Sequence, residues 1–356
     1  MKIESRKNEA FFTLSKQKLL SQLKILTNLN LTISYSYKTN REIGNLLQKI
    51  SSSTLFSLHA QNEIEMINDK QKISFFTQAE TIEELIDIIQ TEVKTFVIDN
   101  EIDLNNLLEA AKQTSQKINI SIRMKFHEHR IGTGKYFVYG LPSSKVNQLI
   151  QNLKNNPQID KLGIHIHRKS QNTSEWEIVE ELKDSIDPET LEIISNVNLG
   201  GGLPVEYKSY TNSTLPYILK KISKAKEFLD QHNIQTIIEP GRFLAAPPIS
   251  LHTKIIQIQN NILILNTTIY NCALDTILTE TKMLAEQELL ESTEYRIPNT
   301  EYLIKGNSPT RDDIFRYKVK LNNPKIGDTI TFINAGAYNY TTDFFGYKKL
   351  ETKIIP

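Results

Sequence analysis

Cysteine is nearly absent from this chain: Cys272 is the single one in 356 residues. That excludes an intrachain disulfide and a cysteine-based zinc cluster. An excess of charge of either sign is missing too. Lys and Arg number 42 against 41 Asp and Glu, for a formal net charge of +1, which gives no electrostatic case for a nucleic-acid or membrane partner. Long apolar runs are also lacking. The longest are strand-sized, such as Ile262-Leu263-Ile264-Leu265, far short of the roughly 20 residues that cross a bilayer as a helix. The N-terminus has basic residues with no apolar stretch behind them, so no secretory signal is expected. These absences predict a soluble, cytoplasmic protein. What is present, 39% hydrophobic and 23% charged residues over 356 positions, suffices for one large core or two domains.

Read along the chain, short apolar runs alternate with helical patterns. Strands are predicted at Leu31–Tyr37, Thr54–Leu58, Ile73–Phe76, Thr95–Ile98, Ile118–Met124, Lys161–Ile166, Asn196–Leu199 and Thr236–Ile238. Helices such as Thr81–Gln90 and Leu104–Gln116 lie between them, and Thr81 with Glu84 reads as a capping box. Eight strands separated by crossovers predict an α/β fold with a parallel (β/α)8, TIM-like barrel. After Pro247-Pro248 the texture changes to closely spaced strands, at Leu251–Gln259, Ile262–Tyr270, Glu301–Lys305, Phe315–Val319 and Thr329–Ile333. The expected organisation is a barrel over 19–246 and an all-β domain over 247–356, joined by an N-terminal segment, 1–18.

Several segments at strand ends carry chemistry. Ile33-Ser34-Tyr35-Ser36-Tyr37-Lys38-Thr39-Asn40 delivers one lysine to the end of a strand, where a neutral amine can form an imine with an aldehyde cofactor if its surroundings lower its pKa. A solvated lysine is the plain alternative. Gly200-Gly201-Gly202 lets backbone amides approach an anion closely, although a tight turn also explains it. His165-Ile166-His167-Arg168-Lys169-Ser170 puts two histidines on one side of a strand, a spacing open to metal binding. Ile238-Glu239-Pro240-Gly241-Arg242 ends the last barrel strand with a carboxylate, and Gly336-Ala337-Tyr338 lies in the β-rich part, with Phe344-Phe345-Gly346 following. His127 and His129, beside Gly132-Thr133-Gly134, read as a solvated loop.

Taken in order, these segments resemble the pyridoxal-phosphate-dependent ornithine/diaminopimelate/arginine decarboxylase family of the alanine-racemase-like fold (fold type III), from about residue 10 to the C-terminus. The resemblance implies pyridoxal 5'-phosphate held by Lys38 as a Schiff base, with Glu239 facing the pyridine nitrogen and keeping it protonated. His167 is implied to stack on the cofactor's face, with His165 packed beneath. Ser170, Gly200, Gly201, Gly202, Gly241, Arg242 and Tyr338 are implied around the phosphate, and Arg123 in the cofactor-side hydrogen-bond network. Asp275, in Tyr270-Asn271-Cys272-Ala273-Leu274-Asp275, falls near a family carboxylate that contacts the substrate's distal group. A homodimer with active sites at its interface is implied as well.

The sequence departs from the family in three places. In Gly306-Asn307-Ser308-Pro309-Thr310-Arg311-Asp312-Asp313, Pro309 stands where the family carries a proton-donating cysteine, and proline has no proton to give. Thr310 replaces the next position's usual acidic or small residue; after a small shift Asp312 or Asp313 can supply the carboxylate, although Asp313 matches the family's later, structural aspartate. Leu55-Phe56-Ser57-Leu58-His59-Ala60-Gln61-Asn62-Glu63 keeps only Glu63 of the usual Asp-x-Ala-Ser-x-x-Glu, which brings His59 near the cofactor or leaves it as a packed histidine. Lys169 stands where a glycine is usual. The expected activity is decarboxylation of the α-carboxylate of an amino acid, a modified or larger one such as a polyamine, siderophore or antibiotic-type intermediate. The alternatives are a racemase or epimerase on the same fold and a non-catalytic cofactor-binding protein.

Overall fold

The computed structural model describes residues 9–126, 139–289 and 301–356; the segment with His127, His129 and Gly132–Gly134 lies outside them. The chain divides into two compact units. One comprises Ile25–Leu203 and Ser213–Gly241; the other comprises Met1–Lys24, Pro204–Asn212 and Arg242–Pro356. Relative to the boundaries expected from sequence, the short stretch Pro204–Asn212 leaves the barrel for the β-rich unit. Its backbone bonds there, with Lys208 donating to the carbonyl of Lys282 at 2.9 Å.

The first unit is a closed parallel barrel. Its strands are Thr32–Ser36, Leu55–Leu58, Ile73–Phe76, Thr95–Ile98, Ile118–Lys125, Ile159–Ile166, Asn196–Asn198 and Gln235–Ile238. Each pairs in parallel with the next, and the last pairs with the first. The apolar runs read from sequence therefore form these eight strands, as expected for a parallel sheet covered on both faces. Helices between them present amphipathic faces: Leu85, Ile88 and Ile89 of Ile82–Gln90 are buried, and the capping box is present in both directions, at 2.8 and 3.2 Å.

The barrel interior carries a polar layer. Ser34 bonds Ser57 at 2.8 Å, and Ser121 bonds Asn196 at 3.3 Å, all four being contributed by strand ends or interiors that read as small or polar breaks in apolar runs. Placing the first strand's Ile33 opposite Ile238 brings the residues that follow them, Lys38 and Glu239, to the same, carboxyl-terminal face. That is the face where barrels of this kind hold their chemistry.

The second unit is a mixed sheet in the order Leu284–Ala285, Thr329–Ile333, Ile249–Gln259, Ile262–Leu265, Glu301–Lys305 and Ile314–Lys320. Phe11–Ser15 joins it, antiparallel to Ile249–Gln259 and parallel to Glu351–Ile355. One strand expectation is corrected here. The run Ile262–Tyr270 is a strand only to Leu265, and Ile269–Cys272 turns into a short helix capped by Thr268, because the Thr267-Thr268 hydroxyls bond locally instead of continuing the ladder.

Candidate active site

Glu239 anchors the site. It follows the last barrel strand and is buried, 7% exposed. Its Oε1 accepts from Ser57 Oγ at 2.6 Å and from Asn198 Nδ2 at 2.9 Å, and its Oε2 meets His165 Nε2 at 3.0 Å. Burial by itself would raise the carboxyl's pKa, but His165 and the Ser57 hydroxyl overcome it and hold the group down to about 2. An ionised carboxylate offers about four lone-pair directions. Three are taken by these donors, so one remains on Oε2 for a further donor.

Lys38 sits in a short 3-10 turn, Tyr37–Thr39, directly before the helix Arg41–Ile50, whose N-cap is Asn40. The turn is held from both sides. Tyr35 donates its hydroxyl to the carbonyl of Asn40 at 2.9 Å, and Tyr37 donates to Asn45 at 2.7 Å. Although the Lys38 side chain opens to solvent at the mouth, the surrounding protein lowers its pKa by desolvation, Glu239 opposes that shift and Arg123 adds to it. Gly241 is required beside this turn, since a Cβ there would lie 2.5 Å from Thr39 Oγ1.

The glycine triplet is fixed by close approach. A Cβ on Gly200 would fall 2.2 Å from the Ile166 carbonyl and one on Gly201 2.6 Å from the Glu239 carbonyl, while Gly200 and Gly202 have φ of +68° and +107°. Gly201 donates its amide to His167 Nδ1 at 3.3 Å, which assigns the proton of a neutral His167 to Nε2. Burial, then Arg123, lowers the His167 pKa to about 4. Arg123 lies over the Tyr139 ring at 5.1 Å, its own pKa lowered by desolvation. Ser170 is exposed in the loop after His167.

Sequence reasoning missed Ser57 and Asn198 as donors to Glu239. Ser57 was visible only as the residue standing where the family has Asp, and Asn198 only as a polar end to an apolar strand. His59 also belongs to this wall. Its ring stacks on Phe76 at 4.5 Å and 13°, and Phe76 meets His165 edge-on at 5.1 Å.

The β-rich unit holds the remaining sequence candidates. Asp275, expected near a substrate's distal group, is 1% exposed and paired in two directions with Arg242: Nη1 to Oδ2, and Nη2 to Oδ1 at 2.9 Å. Thr279 also donates to Oδ1 at 2.9 Å. Buried among donors, this carboxylate is engaged inside the protein, and it raises the Arg242 pKa over the opposing effect of burial. Arg242 lies over the Tyr338 ring at 4.8 Å. Thr310 is bonded to Ser308 at 2.7 Å, Asp312 is exposed, and Asp313 is fully buried, accepting the amides of Ile269 and Ser308 at 2.9 Å each. The last is a structural role, as its place in the sequence suggested.

A closed parallel barrel with a lysine and a clamped carboxylate on adjacent strand ends, in a chain with a separate mixed-sheet unit, is the architecture of the fold-type III pyridoxal enzymes. Residues 16–246 match the pyridoxal-binding domain of the pyridoxal-dependent decarboxylases, and the chain belongs to that family. Diaminopimelate decarboxylase of Methanocaldococcus jannaschii is 24% identical over 334 residues, covering 86% of this chain and 74% of that enzyme. The Vibrio cholerae diaminopimelate decarboxylase is 28% identical over 244 residues, and the match spans 63% of this chain and only 57% of that protein. Among solved structures, lysine decarboxylase from Selenomonas ruminantium superposes with a TM-score of 0.82 at 18% identity, over 99% of this chain and 94% of that one. The arginine decarboxylase of Paramecium bursaria Chlorella virus gives 0.76 at 20%, over 99% and 98%.

The residues present fit pyridoxal phosphate. Glu239 keeps an unused lone pair, the glycine triplet forms a cradle that any Cβ would fill, and Lys38 is an amine with a lowered pKa.

Proposed function

We propose that this protein decarboxylates the α-carboxylate of an amino acid with pyridoxal 5'-phosphate as cofactor. The observation that carries this reading is the Glu239 clamp: a buried carboxylate kept ionised by Ser57, Asn198 and His165. Bound pyridoxal phosphate supplies a ring that accepts the electron pair released when the carboxylate leaves as carbon dioxide. Lys38, with its pKa lowered, holds a larger share of neutral amine with which it would capture the aldehyde; the substrate amine would then take its place, and the freed Lys38 amine would displace the product amine at the end. Ionised Glu239 stabilises a proton on the pyridine nitrogen. His167 offers a neutral ring fixed by Gly201, and Gly200, Gly201 and Gly202 turn backbone amides toward an anion.

A protonated ring nitrogen favours full electron withdrawal, so Glu239 argues for decarboxylation over racemisation. A modified or larger substrate is favoured because the β-rich unit's Asp275 is committed to Arg242 and Thr310 to Ser308, which leaves neither obviously assigned to a plain distal ammonium. A homodimer is part of the reading.

The test is the visible absorbance of purified protein and of Lys38→Ala, together with carbon dioxide release from a panel of diamino and carboxyalkyl amino acids. A lysine-bound pyridoxal band that vanishes in Lys38→Ala, with carbon dioxide release by the wild type, is expected. A band without carbon dioxide from any substrate would shift the reading to racemisation, measured on the same samples by loss of optical activity. Absence of a band after addition of pyridoxal phosphate would refute the cofactor reading.

A further inference from the structure

Among the described residues, His59 is an aromatic residue of the barrel mouth whose ring nitrogens the Glu239 clamp does not use. It leaves the second barrel strand, Leu55–Leu58, two positions after Ser57, and residues two apart on a strand share a face. Ser57 faces Glu239, and the contacts agree with that direction: His59 stacks on Phe76, Phe76 meets His165, and His165 bonds Glu239. The ring is only partly exposed, and its Nδ1 is buried with no hydrogen-bond partner among the described residues. Burying an unpaired ring nitrogen opposes folding, and an orphan of this kind calls for an explanation beyond packing, because phenylalanine would fill the same space without it.

The tautomer follows from that burial. Desolvation, then the charge of Lys38, lowers the His59 pKa to about 3, so the ring is neutral and carries one proton. An unpaired acceptor is tolerated in an apolar wall more readily than an unpaired N–H. Nδ1 is therefore the bare nitrogen, and Nε2 carries the proton.

We propose that His59 is a positioning residue for the cofactor, donating its Nε2–H to the 3-oxygen of pyridoxal phosphate. The assignment rests on the function proposed above and proceeds by elimination. In that reading the aldehyde goes to Lys38, the ring nitrogen to Glu239, the phosphate to the glycine amides and the ring face to His167. The 3-oxygen is the polar group to which that reading assigns no specific side-chain donor beyond the imine formed at Lys38, and a neutral N–H donor suits an oxygen that carries negative charge.

The experiment titrates pyridoxal 5'-phosphate into stripped wild-type, His59→Phe and His59→Gln protein, following the visible band, and melts each protein before cofactor is added. Phenylalanine keeps the stack on Phe76 without a donor, and glutamine places an amide N–H near the position of Nε2. The expected result is cofactor binding weakened about tenfold or more in His59→Phe, the size of one lost charge-assisted hydrogen bond, with recovery in His59→Gln. The cofactor-free His59→Phe protein should melt at the same temperature as wild type or higher. With 3-deoxypyridoxal 5'-phosphate, wild type and His59→Phe should bind alike.

Equal affinity of wild type and His59→Phe for pyridoxal phosphate would overturn the proposal, as would an equal loss with the 3-deoxy analogue. A lower melting temperature of cofactor-free His59→Phe would overturn it in favour of a structural histidine. Failure of the wild type itself to bind pyridoxal phosphate would instead refute the underlying functional reading.

Discussion

Single side chains decide how the barrel mouth works, and the Ser57 hydroxyl is the most exposed to test. It supplies one of two donors to Glu239 Oε1. Ser57→Ala leaves that oxygen under-satisfied in a buried place, which costs on the order of 1–3 kcal/mol. Denaturant titration at neutral pH should show that loss, and the Glu239 pKa should rise as a donor disappears. In the β-rich unit, Asp275→Ala takes from the Arg242 guanidinium, itself 6% exposed, the carboxylate it is paired with. Removing one partner of a buried pair costs about 3–5 kcal/mol, so a large fall in denaturation midpoint is expected, with Asp275→Asn milder because it retains an acceptor for one N–H. The residue scale is also where sequence reading reached its limit. Lys38, Glu239 and His167 stand at ends of recognisable strands and were legible. Ser57 and Asn198 were not, since serine and asparagine at strand ends have many uses and only three-dimensional closure of the barrel brings them to one carboxylate. Asp275 was read by position alone, which could not reveal that Arg242, 33 residues earlier, holds it.

At the scale of elements, the glycine triplet is a joint between strands. Gly200 accepts the Glu239 amide on its carbonyl at 2.8 Å and donates its own amide to Asn198 Oδ1 at 2.9 Å. Gly200→Ala must accommodate a Cβ against the Ile166 carbonyl at a positive φ. Both His167 and Glu239 would shift, so the variant should lose cofactor affinity in absorbance titrations and melt lower than wild type. A helix on the outside of the barrel provides the contrast. Thr81→Ala removes one half of the capping box of Ile82–Gln90 and should cost about 1 kcal/mol in denaturant unfolding, with cofactor binding unchanged. Elements were the most legible level of this chain. All eight barrel strands lie within a residue or two of their apolar runs, because strands covered on both faces read as near-continuous apolar runs even where a serine or asparagine interrupts them. Phe11–Ser15 and Glu351–Ile355 escaped notice as strands. Each is short and half polar, and their pairing partners are far away in sequence.

For the whole molecule, acid is the expected weakness. Glu239 takes up a proton near 4.5 when unfolded and near 2 in the fold. The unfolded chain therefore binds more protons between those values, and stability from this group, present in full above about pH 5, is lost as pH falls toward 2. His59 and His167 act in the same direction over a higher window. Their folded pKa values, about 3 and about 4, lie below the ordinary 6.5, so the penalty for protonating them in the fold begins below pH 6.5 and grows until each titrates. Melting temperatures recorded from pH 8 to 4 should fall, with a shallower slope in His59→Phe, which removes one of these titrating rings.

The sheet that unites Phe11–Ser15 with Ile249–Gln259 sets a timetable for biosynthesis. Thr13 and its bonding partner His252 are 239 positions apart. At about 5–20 residues per second, the first strand waits roughly 10–50 s after its own synthesis before its neighbour exists, and still longer for Glu351–Ile355 on its other side. Residues 25–203 and 213–241, the barrel, are all made within that interval. A strand made before the whole barrel is thus among the last to find its place, and until then it is an unpaired edge available to any chaperone or stray strand that meets it.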